Sequence, residues 1–480
     1  MGTTIDKLNK LLDTKEKIKE ALKEKVDTEV SDKFSSYPEI IGTLPSKVKM
    51  KFGDDITDIS GIFRAGYGAY WKSIDLRGWD LSGITNVKEF MRLDNLTYAN
   101  LSGLRLNVTD VTQLCYGDKA LEEIDVTNLV SNTLTSITVP FYNCTSLKKI
   151  IGLETWDTSN VTSMPSVFYG CSSLEELDLS AWDVSKCTTF SAILYGCTGL
   201  KKLNLSGWPA TAVYSSIAGS PGLSQETELE ELILRDVKDV QTGAQIIPNC
   251  NIKVLDVTGM TISESNGISS SGLFSGRSGL HKIVGLDTIT KIPGEYLYHL
   301  FCSCSNLESI EGIENWDIST ATFIISPFGS CPEVKEINIA NWDVSNVANC
   351  GGVAINMENL EKLDVSNWQV NCITYSADNT NYWFVKSTPK LSTILFGEGW
   401  GKCDDEHGSG LDLSECNSSG NDTYAAYQLA DETFSSMLKM YDRKANGLTS
   451  TFTILLNSKT TIPDGWTAKM EAKGYTITIV

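Results

Sequence analysis

The sequence predicts a solenoid of short parallel β-strands, with a small helical module before it and an α/β cap after it. Three observations carry that prediction. A skeleton of apolar-x-x-apolar-x-apolar recurs, as in Leu174-Glu175-Glu176-Leu177-Asp178-Leu179, Leu200-Lys201-Lys202-Leu203-Asn204-Leu205 and Val334-Lys335-Glu336-Ile337-Asn338-Ile339. Trp-Asp-x-Ser follows at Trp79, Trp156, Trp182, Trp316 and Trp342. An aromatic-x-x-Cys element stands at Phe141-x-x-Cys144, Phe168-x-x-Cys171, Phe301-x-x-Cys304 and Phe328-x-x-Cys331, with Tyr195-Gly196-Cys197 a shorter version. Self-similarity at a fixed period is the signature of a repeat array.

The skeleton is a strand with a two-residue period, its apolar residues turned into a core and those between them turned to solvent. Its first apolar position is read at Trp71, Leu101, Leu121, Leu147, Leu174, Leu200, Leu229, Ile252, Leu280, Leu307, Val334, Leu360 and Leu391, mostly in steps of 26 to 28 residues. One repeat cannot stand alone. Burying four or five apolar side chains contributes roughly 2–3 kcal/mol each, whereas ordering about 27 residues costs about 1–2 kcal/mol per residue. Stacked neighbours, sharing faces and strand hydrogen bonds at a spacing of about 4.8 Å, close the gap.

The Asp of Trp-Asp-x-Ser ends each strand by accepting from backbone N–H groups just ahead. The Trp forms a ladder along one edge; a carbohydrate-stacking stripe is the alternative. The aromatic-x-x-Cys elements belong to the opposite edge, where Cys144, Cys171 and Cys197 stack as small apolar thiols. Outward strand positions recur as Asp or Asn at Asp75, Asp125, Asp178, Asn204, Asp256, Asn338 and Asp364. With Glu122-Glu123, Glu175-Glu176, Lys148-Lys149 and Lys201-Lys202 beside them, they form a polar, mostly acidic strip that is either a binding surface or a solvated sheet face.

Composition narrows the function. The chain has 480 residues, 41% apolar and 21% charged, with a net charge of −20. That argues against nucleic acid and against anionic membrane surfaces as partners. No run is long enough to span a membrane, and the start Met1-Gly2-Thr3-Thr4-Ile5-Asp6 does not read as a signal peptide, so synthesis in a cytoplasm is expected. The thirteen cysteines lack zinc spacing and are expected to be reduced and buried. His281, His299 and His407 lie in unrelated repeats, and no nucleophile, P-loop or dinucleotide pattern is found. No enzyme activity, catalytic residue, cofactor or metal is therefore expected. The loop Cys403-Asp404-Asp405-Glu406-His407 could hold a cation but lacks calcium-loop spacing.

The run Trp156-Asp157-Thr158-Ser159-Asn160-Val161-Thr162-Ser163-Met164, with Phe168 and Cys171 after it, resembles the BspA-type leucine-rich repeat of bacterial surface proteins and some phage proteins. The resemblance spans residues about 70 to 400 and implies a leucine-rich-repeat-like solenoid. Trp208-Pro209, Trp368-Gln369 and the Trp-free units at Leu229 and Ile252 depart from it.

The solenoid is placed at 45–420, between a helical module at 1–44 and a capping unit at 421–480. In the module, Ile5, Leu8, Leu11, Leu12, Ile18 and Leu22 have helical spacing, and Asp13-Thr14-Lys15-Glu16 forms a capping box. So few apolar residues need a partner or a second copy to pack on. The stretch Leu8–Leu22, with Phe34-Ser35-Ser36-Tyr37-Pro38-Glu39-Ile40-Ile41, resembles an N-terminal module of phage virion and tail-appendage proteins. This resemblance implies a virion-surface fibre or appendage. Its residues 1–44 would anchor to other virion proteins and oligomerise, with a trimer usual for such fibres, and its solenoid would attach to a host protein or glycan. A BspA-like bacterial surface adhesin is the alternative. In the cap, Asp431–Tyr441 reads as a helix with Phe434, Met437, Leu438 and Tyr441 on one face, followed by Thr451–Leu456, a helix at Thr467–Ala472 and a strand at Tyr475–Val480.

Overall fold

The structure, a computed structural model, describes residues 57–60, 63–64, 72–77, 79–130, 133–218, 223, 227–241, 246–248, 250–263, 272–369, 384–400, 402, 409–413, 429–448 and 452–479. The helical module expected at 1–44 and the acidic loop at 403–407 lie outside these residues. The chain divides into two compact units, Met1–Leu229 with Pro248–Cys250, and Glu230–Ile247 with Asn251–Val480. Each is a parallel β-solenoid of the leucine-rich-repeat type.

In the first unit the strands Ser73–Asp75, Tyr98–Asn100, Glu123–Asp125 and Lys149–Ile151 pair in parallel. Glu176–Asp178 pairs in the same way with Lys202–Asn204. Each strand has three residues, its middle one the second apolar position of the skeleton; Ile74, Ala99, Ile124, Leu177 and Leu203 are buried, and Ile150 of Lys149–Ile151 is half-buried. A second line of contact, the parallel bridges Asp110–Ser136–Ser163–Thr189, links four successive rungs. One rung differs from the sequence reading. The repeat assigned to Leu101 begins at Leu96, and Leu101 is its third apolar position. Ala99 stands where the other rungs carry Ile or Leu, which hid the register and produced two irregular steps.

In the second unit Asn251–Asp256 pairs with Lys282–Val284, and Glu336–Asn338, Lys362–Asp364 and Thr393–Leu395 pair in succession, all parallel. A second set comprises Tyr296–Tyr298 with Phe323–Ile325, and Ala354–Ile355 with Val385–Lys386. The chain ends in a parallel sheet of Ser409–Asp412, Phe452–Leu456 and Tyr475–Ile479.

The tryptophans lie in the core of both units, not along an edge. Trp156, Trp182, Trp208, Trp316, Trp342, Trp368 and Trp400 are all buried, so a carbohydrate-stacking stripe of these rings is excluded. Each indole N–H donates to a turn carbonyl one rung back: Trp182 Nε1 to Leu153 O (3.0 Å), Trp342 Nε1 to Ile313 O (2.7 Å) and Trp368 Nε1 to Ile339 O (2.7 Å). That carbonyl already accepts a backbone N–H of its own turn, as Ile313 O does from Trp316. The cysteines do the same at the other turn. Cys171 Sγ donates to Phe141 O (3.1 Å), Cys197 Sγ to Phe168 O (3.1 Å) and Cys331 Sγ to Phe301 O (2.9 Å). The Phe and Trp ladders are not on opposite edges; they meet in the interior, with ring centroids 6.2 Å apart for Phe168 and Trp182 and 6.1 Å for Phe328 and Trp342.

The helix Asp431–Met437 covers a strand edge. Thr393–Leu395 pairs with Lys362–Asp364 on one side, and on the other its backbone meets side chains. Ile394 N–H donates to Thr433 Oγ1 (2.9 Å), Phe396 N–H to Ser436 Oγ (3.1 Å), and Ser436 Oγ donates back to Ile394 O (3.1 Å). The helix stops short of the predicted Tyr441 because Tyr441 N–H bonds to Trp400 O (3.0 Å), which draws the chain out of helical register.

Replacing Trp342 by Phe keeps a ring in the stack and removes the donor to Ile313 O. The urea midpoint should fall by the equivalent of about 1–2 kcal/mol, and Trp342→Ala, which empties the site, should cost about 3–5 kcal/mol. Equal midpoints for Trp342→Phe and the parent chain would show that the indole bond contributes nothing.

Candidate functional site

The seven strand-end positions expected on the polar strip are turn-making residues. Asp178 Oδ1 accepts from Ser180 N–H (2.9 Å) and Oγ–H (2.6 Å), and Asn204 Oδ1 accepts the same pair from Ser206. Asp125 accepts from Thr127 N–H, Asn338 from Ala340 N–H and Asp364 from Ser366 N–H. Asp75 is clamped by Arg77, and that hydrogen bond holds its carboxyl below the usual range. Asp256 is buried, bonded to Thr258 and paired with Arg235 at 2.7 Å, so it is not an outward residue. Asp157, Asp183, Asp317 and Asp343 repeat the device one turn later, each accepting from the N–H two residues on.

The first unit holds Asp75, Asp125, Asp178 and Asn204, and the second holds Asp256, Asn338 and Asp364. Asn100, hidden by the register error, stands between Asp75 and Asp125. The strip is not mostly acidic. Charge alternates between rungs: Lys148 pairs with Glu122 (2.9 Å), Lys201 with Glu175 (3.5 Å), and Asn204 Nδ2 donates to Asp178 Oδ2 (3.1 Å). These side chains are exposed, and such pairs contribute little.

A different surface emerges in the first unit. Tyr116, Tyr142, Tyr169 and Tyr195 stack outside the core, with successive ring centroids 4.9, 4.5 and 5.2 Å apart. The first three are half-buried and Tyr195 is 42% exposed. Arg92 lies over the outer face of Tyr116 at 5.9 Å. Each Tyr sits between two left-handed residues. These are Gln113, Val139, Ser166 and Ala192 on one side (φ 57, 45, 52 and 54), and Gly117, Asn143, Gly170 and Gly196 on the other. That backbone sends the preceding side chain, Phe141 or Phe168, into the core and the Tyr outward. A β-branched residue such as Val139 strongly disfavours this conformation. Hydrogen bonds between rungs hold it: Gly117 N–H to Tyr142 O (2.7 Å), Asn143 N–H to Tyr169 O (2.7 Å) and Gly170 N–H to Tyr195 O (2.8 Å). At Gly196 an added Cβ would lie 3.2 Å from Gly170 Cα, so glycine lets these turns approach closely. Sequence reasoning missed the row, although tyrosines at steps of 26, 27 and 26 residues were there to be read.

The fold does not demand these tyrosines. The second unit builds the same turn, with left-handed residues at Gly272 and Gly276, His299 and Ser303, and Ser326 and Ser330. It places Phe274, Phe301 and Phe328 in the core, and Ser275, Cys302 and Gly329 where the first unit has Tyr.

Asp118 and the core thiols near the row are buried. Asp118 Oδ1 accepts from Leu93 N–H (2.7 Å), while its Oδ2 is buried without a hydrogen-bond partner. Burial, with a lesser push from the Asp94 charge, raises its carboxyl to about 8. Burial also raises the core thiols, Cys197 and Cys331 to about 12 and Cys304 to about 11. These thiols stay protonated near neutral pH and act as donors, not nucleophiles. Among the described residues, no cluster of His, Cys, Asp and Glu comes together as a metal site, and no helix is long and apolar enough to cross a membrane.

The family described as "Mycoplasma protein of unknown function, DUF285" matches residues 109–218 and 295–388, together under half of the chain. No curated protein matches the sequence. Among solved structures, a leucine-rich repeat protein from Bacteroides ovatus ATCC 8483 is 14% identical, with 80% of this chain and 86% of that one covered and a TM-score of 0.27. A leucine rich cell surface protein from Faecalibacterium prausnitzii A2-165 is 13% identical, covering 80% and 83%, with a TM-score of 0.20. The TLR13–ssRNA13 complex is 13% identical, covering 91% of this chain and 61% of that one, with a TM-score of 0.30.

Maleimide at neutral pH should leave Cys115, Cys144, Cys171, Cys197, Cys304, Cys331 and Cys350, all buried, unmodified in the folded chain and modify them after denaturation; peptide mapping by mass spectrometry reads this out. Asp118 should make stability depend on pH. Its folded carboxyl titrates near 8 instead of 3.8, so the folded state holds a proton that the unfolded state releases. The stabilisation is complete below about pH 4 and is lost as pH rises through 8, at up to about 1.4 kcal/mol per pH unit. Asp118→Asn should flatten that slope in urea melts, and parallel slopes for the two proteins would refute the assignment.

Proposed function

We propose that the chain is a non-catalytic adhesive repeat protein, comparable in use to the BspA-like surface proteins that its repeats resemble. The tyrosine row carries this reading. The Trp, Cys and Asp side chains that could suggest chemistry are engaged in holding rungs together. The tyrosines are outward, rigidly placed and unnecessary to the turn that bears them. Stacked tyrosines give a large amphipathic contact area with little side-chain freedom to lose, as binding surfaces require. A second reading, a phage head or tail appendage anchored and oligomerised through residues 1–44, rests on the resemblance of that module.

An antibody to residues 70–400, detected with gold in electron micrographs of the producing culture, separates the two. Label on the cell envelope, with cell attachment reduced by an excess of the soluble chain, is the outcome expected for an adhesin. Label at one fixed place on phage particles would establish the appendage instead. Label confined to the cell interior, with attachment unaffected, would overturn both.

A further inference from the structure

The tyrosine row lies in an unusual stretch of sequence. Residues 133–147, 158–174 and 187–200 contain no Asp, Glu, Lys, Arg or His, in a chain that is 21% charged with a net charge of −20. These are the three successive turns that bear Tyr142, Tyr169 and Tyr195. The exposed and half-buried polar residues of these turns carry hydroxyls and amides, such as Thr135, Thr162, Thr188, Asn143, Thr145 and Thr198. Charge returns at the first rung of the row, with Arg92 and the exposed Lys119. A strongly acidic protein that keeps one edge neutral favours an uncharged partner there.

We propose that this edge binds a neutral linear glycan laid along the row, one sugar unit to a rung. The ligand class rests on the adhesive reading above and narrows it. The ring faces of Tyr142 and Tyr169 are covered by their neighbours, so the row presents ring edges and a line of phenol hydroxyls at the rung spacing, with the exposed face of Tyr195 at its end. A linear glycan repeats at a similar height and offers hydroxyls and C–H faces in the same order. Neutral hydroxyl and amide groups match its hydrogen bonds without desolvating a charge. The bonds between rungs fix the tyrosines before the ligand arrives, so little ordering entropy opposes binding. Serine is the substitution of choice for a test, because Ser275 occupies the same place in the second unit's turn.

The full chain is run in native affinity gels containing mannan, dextran, galactomannan or a soluble β-glucan, with heparin and polygalacturonate as charged controls. Retardation by at least one neutral polysaccharide is expected, weakened about tenfold or more in Tyr142→Ser/Tyr169→Ser at an unchanged urea midpoint. Lys201→Ala, on the sheet face of the same unit, should bind as the parent does. Tyr142→Phe/Tyr169→Phe should fall between the two if hydroxyls and rings both contribute. Equal retardation of parent and serine variant would overturn the row as the site. Retardation only by the charged polymers, or by none, would overturn the ligand class, while envelope label and blocked attachment in the preceding experiment would leave the adhesive reading standing. A change in oligomeric state in the serine variant, without any change in retardation, would make the row a protein contact and overturn the proposal.

Discussion

The rungs that carry Trp and Cys depend on using both lone pairs of a turn carbonyl. At the turn before each Trp-bearing rung, one lone pair takes a backbone N–H of the same rung and the other takes the indole N–H of the next. At the other turn, a thiol S–H fills the second place. A buried carbonyl left half-used forfeits stabilisation, and a buried donor left unpaired costs more. In the repeats that carry both, one Trp and one Cys meet the two needs together. The same bonds set the height at which phenylalanines, tryptophans and, outside, tyrosines come to stack. Packing and hydrogen bonding are therefore not separate contributions here, because each ring is placed by the bond that its own rung makes to the last.

Much of this was legible in the sequence. The skeleton gave the strands with their parallel pairing, and the Trp-Asp-x-Ser element gave the turns. What escaped was the direction of side chains that a linear pattern cannot fix. Trp and Phe elements lie at different places along the repeat and were read as opposite edges, yet a closed turn brings them face to face. Cysteine was read as a small apolar filler, since nothing in its spacing reveals a donor. Ala99 concealed a rung, and with it Asn100. The aromatic-x-x-Cys reading takes in Tyr195 alone of the four tyrosines, as the aromatic of its shorter version, whereas left-handed residues on either side turn all four outward. Left-handed geometry at Val139 or Ala192 has no signature in composition.

The same regularity governs charge. In a stack, any ionised side chain meets its counterpart one rung away, so a run of like charges would repel along its whole length. Glu122 against Lys148, Glu175 against Lys201 and Asp178 against Asn204 avoid that by alternation. The tyrosine edge avoids it by carrying no charge over three turns. The surface of the first unit is thus divided into a face where charges cancel and an edge where there are none.

The hydroxyls of Thr433 and Ser436 have a consequence beyond the stability of one helix. Every rung of a parallel solenoid is a template for another, and a bare final strand would accept the leading strand of a second molecule as readily as one of its own. Such a contact is head-to-tail and never closes, so it propagates into a filament. By occupying the amides of Ile394 and Phe396 and returning a donor to Ile394 O, two side chains with no strand of their own end this strand ladder. In a motif able to polymerise, a short helix at this edge imitates half of a strand and takes the amides that a further rung would use.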